Sequence, residues 1–258
     1  MKSLGGHSAL VTGGAQGIGY GIARELAKAG ANVVIADIHQ KNAEEAANQL
    51  IENGYTALAV PLDITDLNSI KQCIAHISDH FPSIDILVNN AGTMQRHLGD
   101  ETSIEDFDRC YEVNSKAMWL VSQVFADYLK PLKRGKIINI ASTGGRIGSA
   151  ETPAYSASKA AAINVTQSLS LSLAPFDINV NAICPGLVWT PMWEHIETMA
   201  SDSTCKEREL FQQCVNATPL KRAITPEDIG QAVVFFASEG TRNITGQSLN
   251  INGGALMH

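Results

Sequence analysis

Tyr155 and Lys159 stand four residues apart in Tyr155-Ser156-Ala157-Ser158-Lys159, inside a stretch whose pattern predicts one helix over 152–174, so a phenol and an ammonium group project from one face. A free phenol titrates near ~10 and is a poor general base at neutral pH. A cation held beside it favours the phenolate, so the pair carries the parts of a base. Ser142, thirteen residues upstream of the tyrosine, follows the apolar run Ile137-Ile138-Asn139-Ile140-Ala141. That run reads as a strand whose end delivers a hydroxyl to the same place.

A second constellation opens the chain. Thr12-Gly13-Gly14-Ala15-Gln16-Gly17-Ile18-Gly19 lies directly after the strand-like Ser8-Ala9-Leu10-Val11 and directly before a helical pattern with Ile18, Ile22 and Leu26 on one face. Glycines at such a turn let the backbone approach a pyrophosphate, and the helix N-terminus presents free N–H groups and a positive dipole end to it. The spacing is Gly-x3-Gly-x-Gly, not the Gly-x-Gly-x-x-Gly of the general dinucleotide fingerprint. Alone, it fits a tight strand-helix connection as well as a nucleotide site. The next strand, Asn32-Val33-Val34-Ile35-Ala36-Asp37, strengthens the nucleotide reading, because it ends in a carboxylate twenty-four residues after Gly13. At an offset of about 20 residues an acid accepts ribose hydroxyls, and a carboxylate there repels the extra phosphate of NADP. The plainer reading of Asp37 is an acidic strand end or helix cap.

The elements that must carry these groups alternate along the chain. Strand-like runs recur at 9–11, 33–36, 57–61, 86–88, 136–140, 179–183 and 248–251, with helical patterns between them, clearest at 41–53, 67–80 and 104–129. Such alternation calls for a parallel sheet with right-handed crossovers. Thr102-Ser103-Ile104-Glu105 reads as a capping box, and Thr225-Pro226-Glu227-Asp228 opens a late helix with an N-cap hydroxyl, proline at the first position and acids in the first turn. Between 188 and 219 the pattern turns irregular and amphipathic, with Trp189, Met192, Trp193, Met199, Leu210 and Phe211 among polar residues. An insertion there fits a substrate lid beside the ligand-binding sheet edge, or an ordinary helical hairpin packed on the body.

Of 258 residues 45% are hydrophobic and 17% charged, enough apolar chain for a sheet covered on both faces. The formal charge is −7 and the basic residues are scattered, which argues against a phosphate-backbone binder and hence against nucleic acid. No apolar run approaches the ~20 residues that span a bilayer, and the N-terminal residues lack the apolar core of a signal peptide; a cytoplasmic enzyme is expected. Cys73, Cys110, Cys184, Cys205 and Cys214 show no zinc-like spacing and read as reduced packing residues, so no metal site is expected.

Taken together, Thr12-Gly13 through Gly19, Leu62-Asp63, Asn89-Asn90-Ala91-Gly92, Asn114, Ser142, Tyr155 with Lys159, Pro185-Gly186 and Thr190 make the chain resemble the short-chain dehydrogenase/reductase family from about residue 2 to 257. The resemblance implies a Rossmann-type α/β fold: a doubly wound, parallel, seven-stranded sheet in one domain over 1–258, with 188–219 as a small helical lid. It implies Tyr155 as proton acceptor in alcohol dehydrogenation, with Lys159 lowering its pKa and binding ribose. Ser142 would hold the substrate oxygen, and Asn114 would organise water that links the lysine to solvent. For the cofactor it implies Gly13, Gln16, Gly17, Ile18 and Gly19 at the pyrophosphate, Asp37 at the ribose, and Asp63 and Ile64 at the adenine. Asn90, Ala91 and Gly92 follow the fourth strand, and Pro185, Gly186, Val188 and Thr190 form the nicotinamide pocket. Gln16 supports NAD, since NADP-preferring members often carry Arg or Lys within the glycine turn. Asp63 also fits a turn cap, in competition with Thr65-Asp66; Asn89 and Asn90 fit structural roles equally well; and Pro185-Gly186 fits an ordinary turn.

The run Cys184-Pro185-Gly186-Leu187-Val188-Trp189-Thr190-Pro191-Met192-Trp193 is similar to the branch containing diol, acetoin and sugar-alcohol dehydrogenases. Thr143 stands where several polyol-active relatives carry glutamine. Trp189, Met192 and Trp193 are expected over the substrate, with Gln95, Arg96, His97, Glu151 and His195 as candidate hydrogen-bonding partners. A 3-oxoacyl carrier-protein reductase and a non-catalytic nucleotide-sensing scaffold are the alternatives. The 104–129 and 152–174 helices carry more apolar and small positions than one inward stripe needs, and the resemblance implies a homotetramer built on them, with the C-terminal 253–258 in a further interface.

Overall fold

The computed structural model describes residues 3–200 and 208–257; Cys205 and the part of the expected lid over 201–207 lie outside them. Seven strands, β1 (Ser8–Thr12), β2 (Asn32–Asp37), β3 (Ala57–Pro61), β4 (Ile86–Asn89), β5 (Gly135–Ile140), β6 (Ile178–Pro185) and β7 (Ser248–Ile251), form one sheet in the order β3-β2-β1-β4-β5-β6-β7. Every pairing is parallel. The order reverses between β1 and β4, which opens a crevice at their carboxyl ends.

Strand residues alternate between two apolar layers. Ala9, Val11, Val33 and Ile35 pack against α1 (Gly17–Lys28), α2 (Gln40–Glu52) and α9 (Pro226–Ala237). Leu10, Val34 and Ala36 pack on the other side against α3 (Leu67–His80), α5 (Met118–Leu129) and the far half of α6 (Pro153–Leu173). Burial on both faces explains why these strands read as continuous apolar runs. Thr225 caps α9 in a box with Asp228, as its sequence indicates.

Two expectations are corrected. The capping box ahead of α4 (Ile104–Tyr111) is made by Ser103 and Asp106, one residue later than Thr102 and Glu105. The Thr102 hydroxyl is turned elsewhere, accepting from Gln95 Nε2 at 2.8 Å and donating to the Gly99 carbonyl at 2.7 Å. The single helix expected over 104–129 is broken by a π-helical segment, Glu112–Ala117, between α4 and α5. A π turn holds one residue more than an α turn and often marks a functional site; Asn114 sits inside it.

Candidate active site

The glycine turn is shaped by its neighbours across the crevice. Gly13 has φ +59°, and a Cβ on it would stand 2.8 Å from the Ala91 Cα; on Gly19 it would stand 2.1 Å from the Gly13 carbonyl oxygen. No side chain fits at either place. Thr12 Oγ1 accepts from the N–H groups of Asn90 and Ala91, both at 3.1 Å. Asn90 Nδ2 returns bonds to the carbonyls of Thr12 at 3.1 Å and Gly13 at 2.9 Å. Asn90 therefore ties the two loops, while also lining the cleft. Asn89 is structural: it bonds Ser122 Oγ at 2.8 Å and Asn139 Oδ1 at 2.9 Å beneath the crevice. Gln16, at the N-cap of α1, makes no side-chain cap bond, so the first N–H groups of α1 remain for a ligand.

The crevice is a cleft of about 1360 Å³. Every residue assigned above to the cofactor lines it, from Gly13 through Gly19, past Asp37, Asp63, Ile64 and 90–92, to Tyr155, Lys159, Pro185, Gly186, Val188 and Thr190. Asp37 is pinned at its edge, accepting from the N–H of Ala15 at 3.3 Å and of His39 at 3.1 Å. Asp63 closes its own turn by accepting from Thr65 N–H and hydroxyl at 2.9 and 2.7 Å, and Asp66 caps α3. Gly186 abuts Asn252, where a Cβ would stand 2.8 Å from the Asn252 Cα. The close glycine approaches, uncapped helix start and second-strand carboxylate fit a nicotinamide dinucleotide.

Of the four chemistry-bearing residues, Ser142, Tyr155 and Lys159 line this cleft, whereas Asn114 is buried and does not. Tyr155 is the third residue of α6, and its phenol faces Ser142 closely enough for the serine to favour its ionised form. Ser142 also accepts from the Gly144 N–H at 3.0 Å. One turn along α6, Lys159 is buried, and its Nζ donates to the Ile140 carbonyl at 2.8 Å and lies 5.8 Å from the Tyr155 ring centroid. Burial pushes the Tyr155 phenol above its usual range despite Ser142, and burial pushes Lys159 down to about 8. The Lys159 ammonium is bonded to backbone, and desolvation is the largest influence on both groups. Asn114 accepts from the Thr93 N–H at 2.8 Å and donates to the Thr93 carbonyl at 2.9 Å and Ser158 Oγ at 3.0 Å.

The substrate candidates divide. Glu151, Met192 and Trp193 line the cleft, whereas Gln95, Trp189, Arg96, His97 and His195 do not. Gln95 is fully buried with its amide engaged by protein. The Trp189 ring packs edge-on to Phe211 at 5.0 Å and lies under the Arg208 guanidinium at 4.4 Å, so it packs against neighbouring side chains and not along the cleft. His97 is held by Asp106 at 2.8 Å. Arg96 and His195 are exposed. Thr143, beside the serine, donates to the Pro185 carbonyl at 3.2 Å.

Sequence reasoning missed an apolar wall made by Met94, Leu98, Ile147, Ile196 and Cys214, with Leu210 beside them. Leu210 and Cys214 are four apart on α8 (Glu209–Asn216), and that spacing was the available signal. The segment expected as a lid contains α7 (Pro191–Ala200) and α8. Glu197 of α7, buried, accepts from the N–H groups of Arg208, Leu210 and Phe211 at 2.8, 3.1 and 3.4 Å. A carboxylate at a helix N-terminus is favoured by the dipole, so one acid joins α7 to α8.

Residues 13–256 match a family model described as enoyl-(acyl carrier protein) reductase. The chain is similar to the galactitol 2-dehydrogenase of Agrobacterium fabrum, 39% identical over 251 residues covering 96% of this chain and 97% of that one. It is also similar to the sorbitol dehydrogenase of Cereibacter sphaeroides, 39% identical over 256 residues covering 98% and 99%. Among solved structures, an actinorhodin polyketide ketoreductase variant with NADPH matches with a TM-score of 0.91 at 32% identity, over 96% of both chains.

Proposed function

The chain belongs to the short-chain dehydrogenase/reductase family, and from that premise we propose that it is an NAD-dependent, cytoplasmic oxidoreductase interconverting a secondary alcohol and a ketone on a small polyol, diol or sugar-derived substrate. The carrying observation is the meeting of Ser142, Tyr155 and Lys159 at the head of a glycine-cradled cleft. When bound, the nicotinamide exchanges hydride with the substrate carbon. Tyr155 takes the alcohol proton at its phenol oxygen in oxidation and returns it in reduction, Ser142 holds the substrate oxygen, and Lys159 binds ribose and supplies positive charge toward the phenol. Asn114 organises water behind the lysine. The polyol class is supported by the two sugar-alcohol dehydrogenases to which the chain is similar.

NAD rests on Asp37, since a ribose phosphate would meet a carboxylate already fixed by two N–H groups, and neither the glycine turn nor the end of β2 offers the cleft a Lys or Arg. The NADPH of the ketoreductase structure is that protein's ligand. NAD is expected over NADP by a large ratio, and Asp37→Ala with His39→Arg is expected to relax it by removing repulsion and adding a phosphate partner. An unmodified enzyme that prefers NADPH would overturn the assignment.

The apolar wall favours a second reading, reduction of a substrate with an aliphatic arm such as a 3-oxoacyl thioester. Initial rates with polyols, vicinal diols, aldoses and hydroxy acids, set against 3-oxoacyl thioesters in the reverse direction, decide between them. Turnover with none of these would remove both.

A further inference from the structure

Gln95 is fully buried beside the site, and both ends of its amide are engaged. Its Nε2 donates to the His97 carbonyl at 2.7 Å, Thr102 Oγ1 at 2.8 Å and the Glu151 carbonyl at 3.4 Å. Its Oε1 accepts from the backbone N–H of Tyr155 at 3.1 Å. That N–H belongs to the first turn of α6, where a helix supplies no intrahelical acceptor. An N-cap side chain normally fills the gap, but Thr152, at the N-cap, makes no such bond.

We infer that Gln95 is a positioning residue for proton transfer: from sixty residues away it caps the helix that carries Tyr155, and so fixes the phenol against Ser142. The same short loop also holds Asn114, through both the N–H and the carbonyl of Thr93. Residues 93–97 thus bind the π segment to the start of α6, and Gln95 is the joint between them. The assignment rests on Tyr155 being the proton-transfer group. Displacing that group by a fraction of an ångström is enough to slow transfer, since about 1 Å of misplacement costs a factor on the order of a hundred.

Gln95→Met keeps the length and removes both polar ends. Its kcat is expected to fall about tenfold or more, while KM for the alcohol and Kd for NADH stay within about threefold. The primary deuterium isotope effect on kcat should rise, because transfer becomes the slow step. Thr102→Val removes one partner of Nε2 but leaves the bond to Tyr155, so its kcat stays within about twofold of wild type. Unchanged kcat in Gln95→Met, a loss confined to KM, or an equal loss in Thr102→Val each overturns the inference.

A further measurement needs no variant. The Tyr155 amide of the wild-type protein should exchange with deuterium at least about tenfold more slowly than an unbonded first-turn amide, and fast exchange would overturn the inference as well. Tyr155→Phe is measured alongside, with nearly all turnover expected to vanish and NADH binding retained. Turnover surviving in that variant removes the role of Tyr155 itself, whereas its loss beside an unimpaired Gln95→Met removes only Gln95.

Discussion

Lys159 illustrates how a side chain can be unfavourable for stability and needed for chemistry. Its folded-state pKa of about 8 lies below the ordinary 10.5, so the native state resists the proton that the unfolded chain accepts. Wild-type stability therefore carries the full penalty below about pH 8 and recovers as pH rises toward 10.5. Lys159→Met removes that titration, together with the bond to Ile140. Relative to the variant, the wild type should gain on the order of 1–3 kcal/mol between neutral and strongly alkaline pH. Thermal melts of both proteins across that range check it, and a constant difference would show that Lys159 is not desolvated. The raised phenol sets the direction of the rate profile: dehydrogenation, which needs phenolate, climbs toward alkaline pH, while reduction, which needs the phenol, declines there. Opposite slopes in the two directions are the result to look for in initial rates.

Among the elements, the helical segment that follows β6 separates two tryptophans that the sequence presents alike. Both rings meet Phe211, Trp189 at 5.0 Å and Trp193 at 5.3 Å, yet only Trp193 also lines the cleft. Trp193→Ala is expected to raise KM or shift substrate preference about fivefold or more with little change in NAD affinity, whereas Trp189→Ala should chiefly lower the melting temperature, a loss of about 1–3 kcal/mol for a half-buried ring. Steady-state kinetics beside melting curves distinguish them; reversed effects would reassign the two residues. This contrast also marks what the sequence carried. Strands, the glycine turn and the Thr225 cap are local signals, written in period, turn chemistry and N-cap type, and the sheet follows them. The π segment was not legible because the residues it buries are Asn114, Ser115 and Ala117, which leave no large apolar side chain to show the shift in helical phase. The joint at Gln95 and the inward turn of Trp189 escaped for another reason: their partners, Tyr155 and Phe211, are brought near only by tertiary packing.

At the scale of the whole molecule, α4 and α5 leave Ile104, Phe107, Tyr111 and Trp119 exposed, with the Phe107 and Tyr111 rings stacked at 6.5 Å. A row of large apolar side chains on two neighbouring helices suits burial against a second copy, and a homotetramer with two-fold contacts through these helices is the expected state. Sedimentation should show Phe107→Asp with Trp119→Asp shifting the protein to smaller species, and a wild-type monomer at micromolar concentration would remove the expectation. The tie between Asn90 and Gly13 reaches across 77 residues, and it carries a consequence for the order of events during synthesis. The phosphate-binding turn leaves the ribosome before the loop that shapes its far wall, because that loop follows β4, and β4 must dock beside β1 before that wall exists. A nascent chain ending ahead of Asn90 holds every glycine of the motif and no finished cradle, so nucleotide can begin to favour folding only after the third βαβ crossover, β3-α3-β4, has closed.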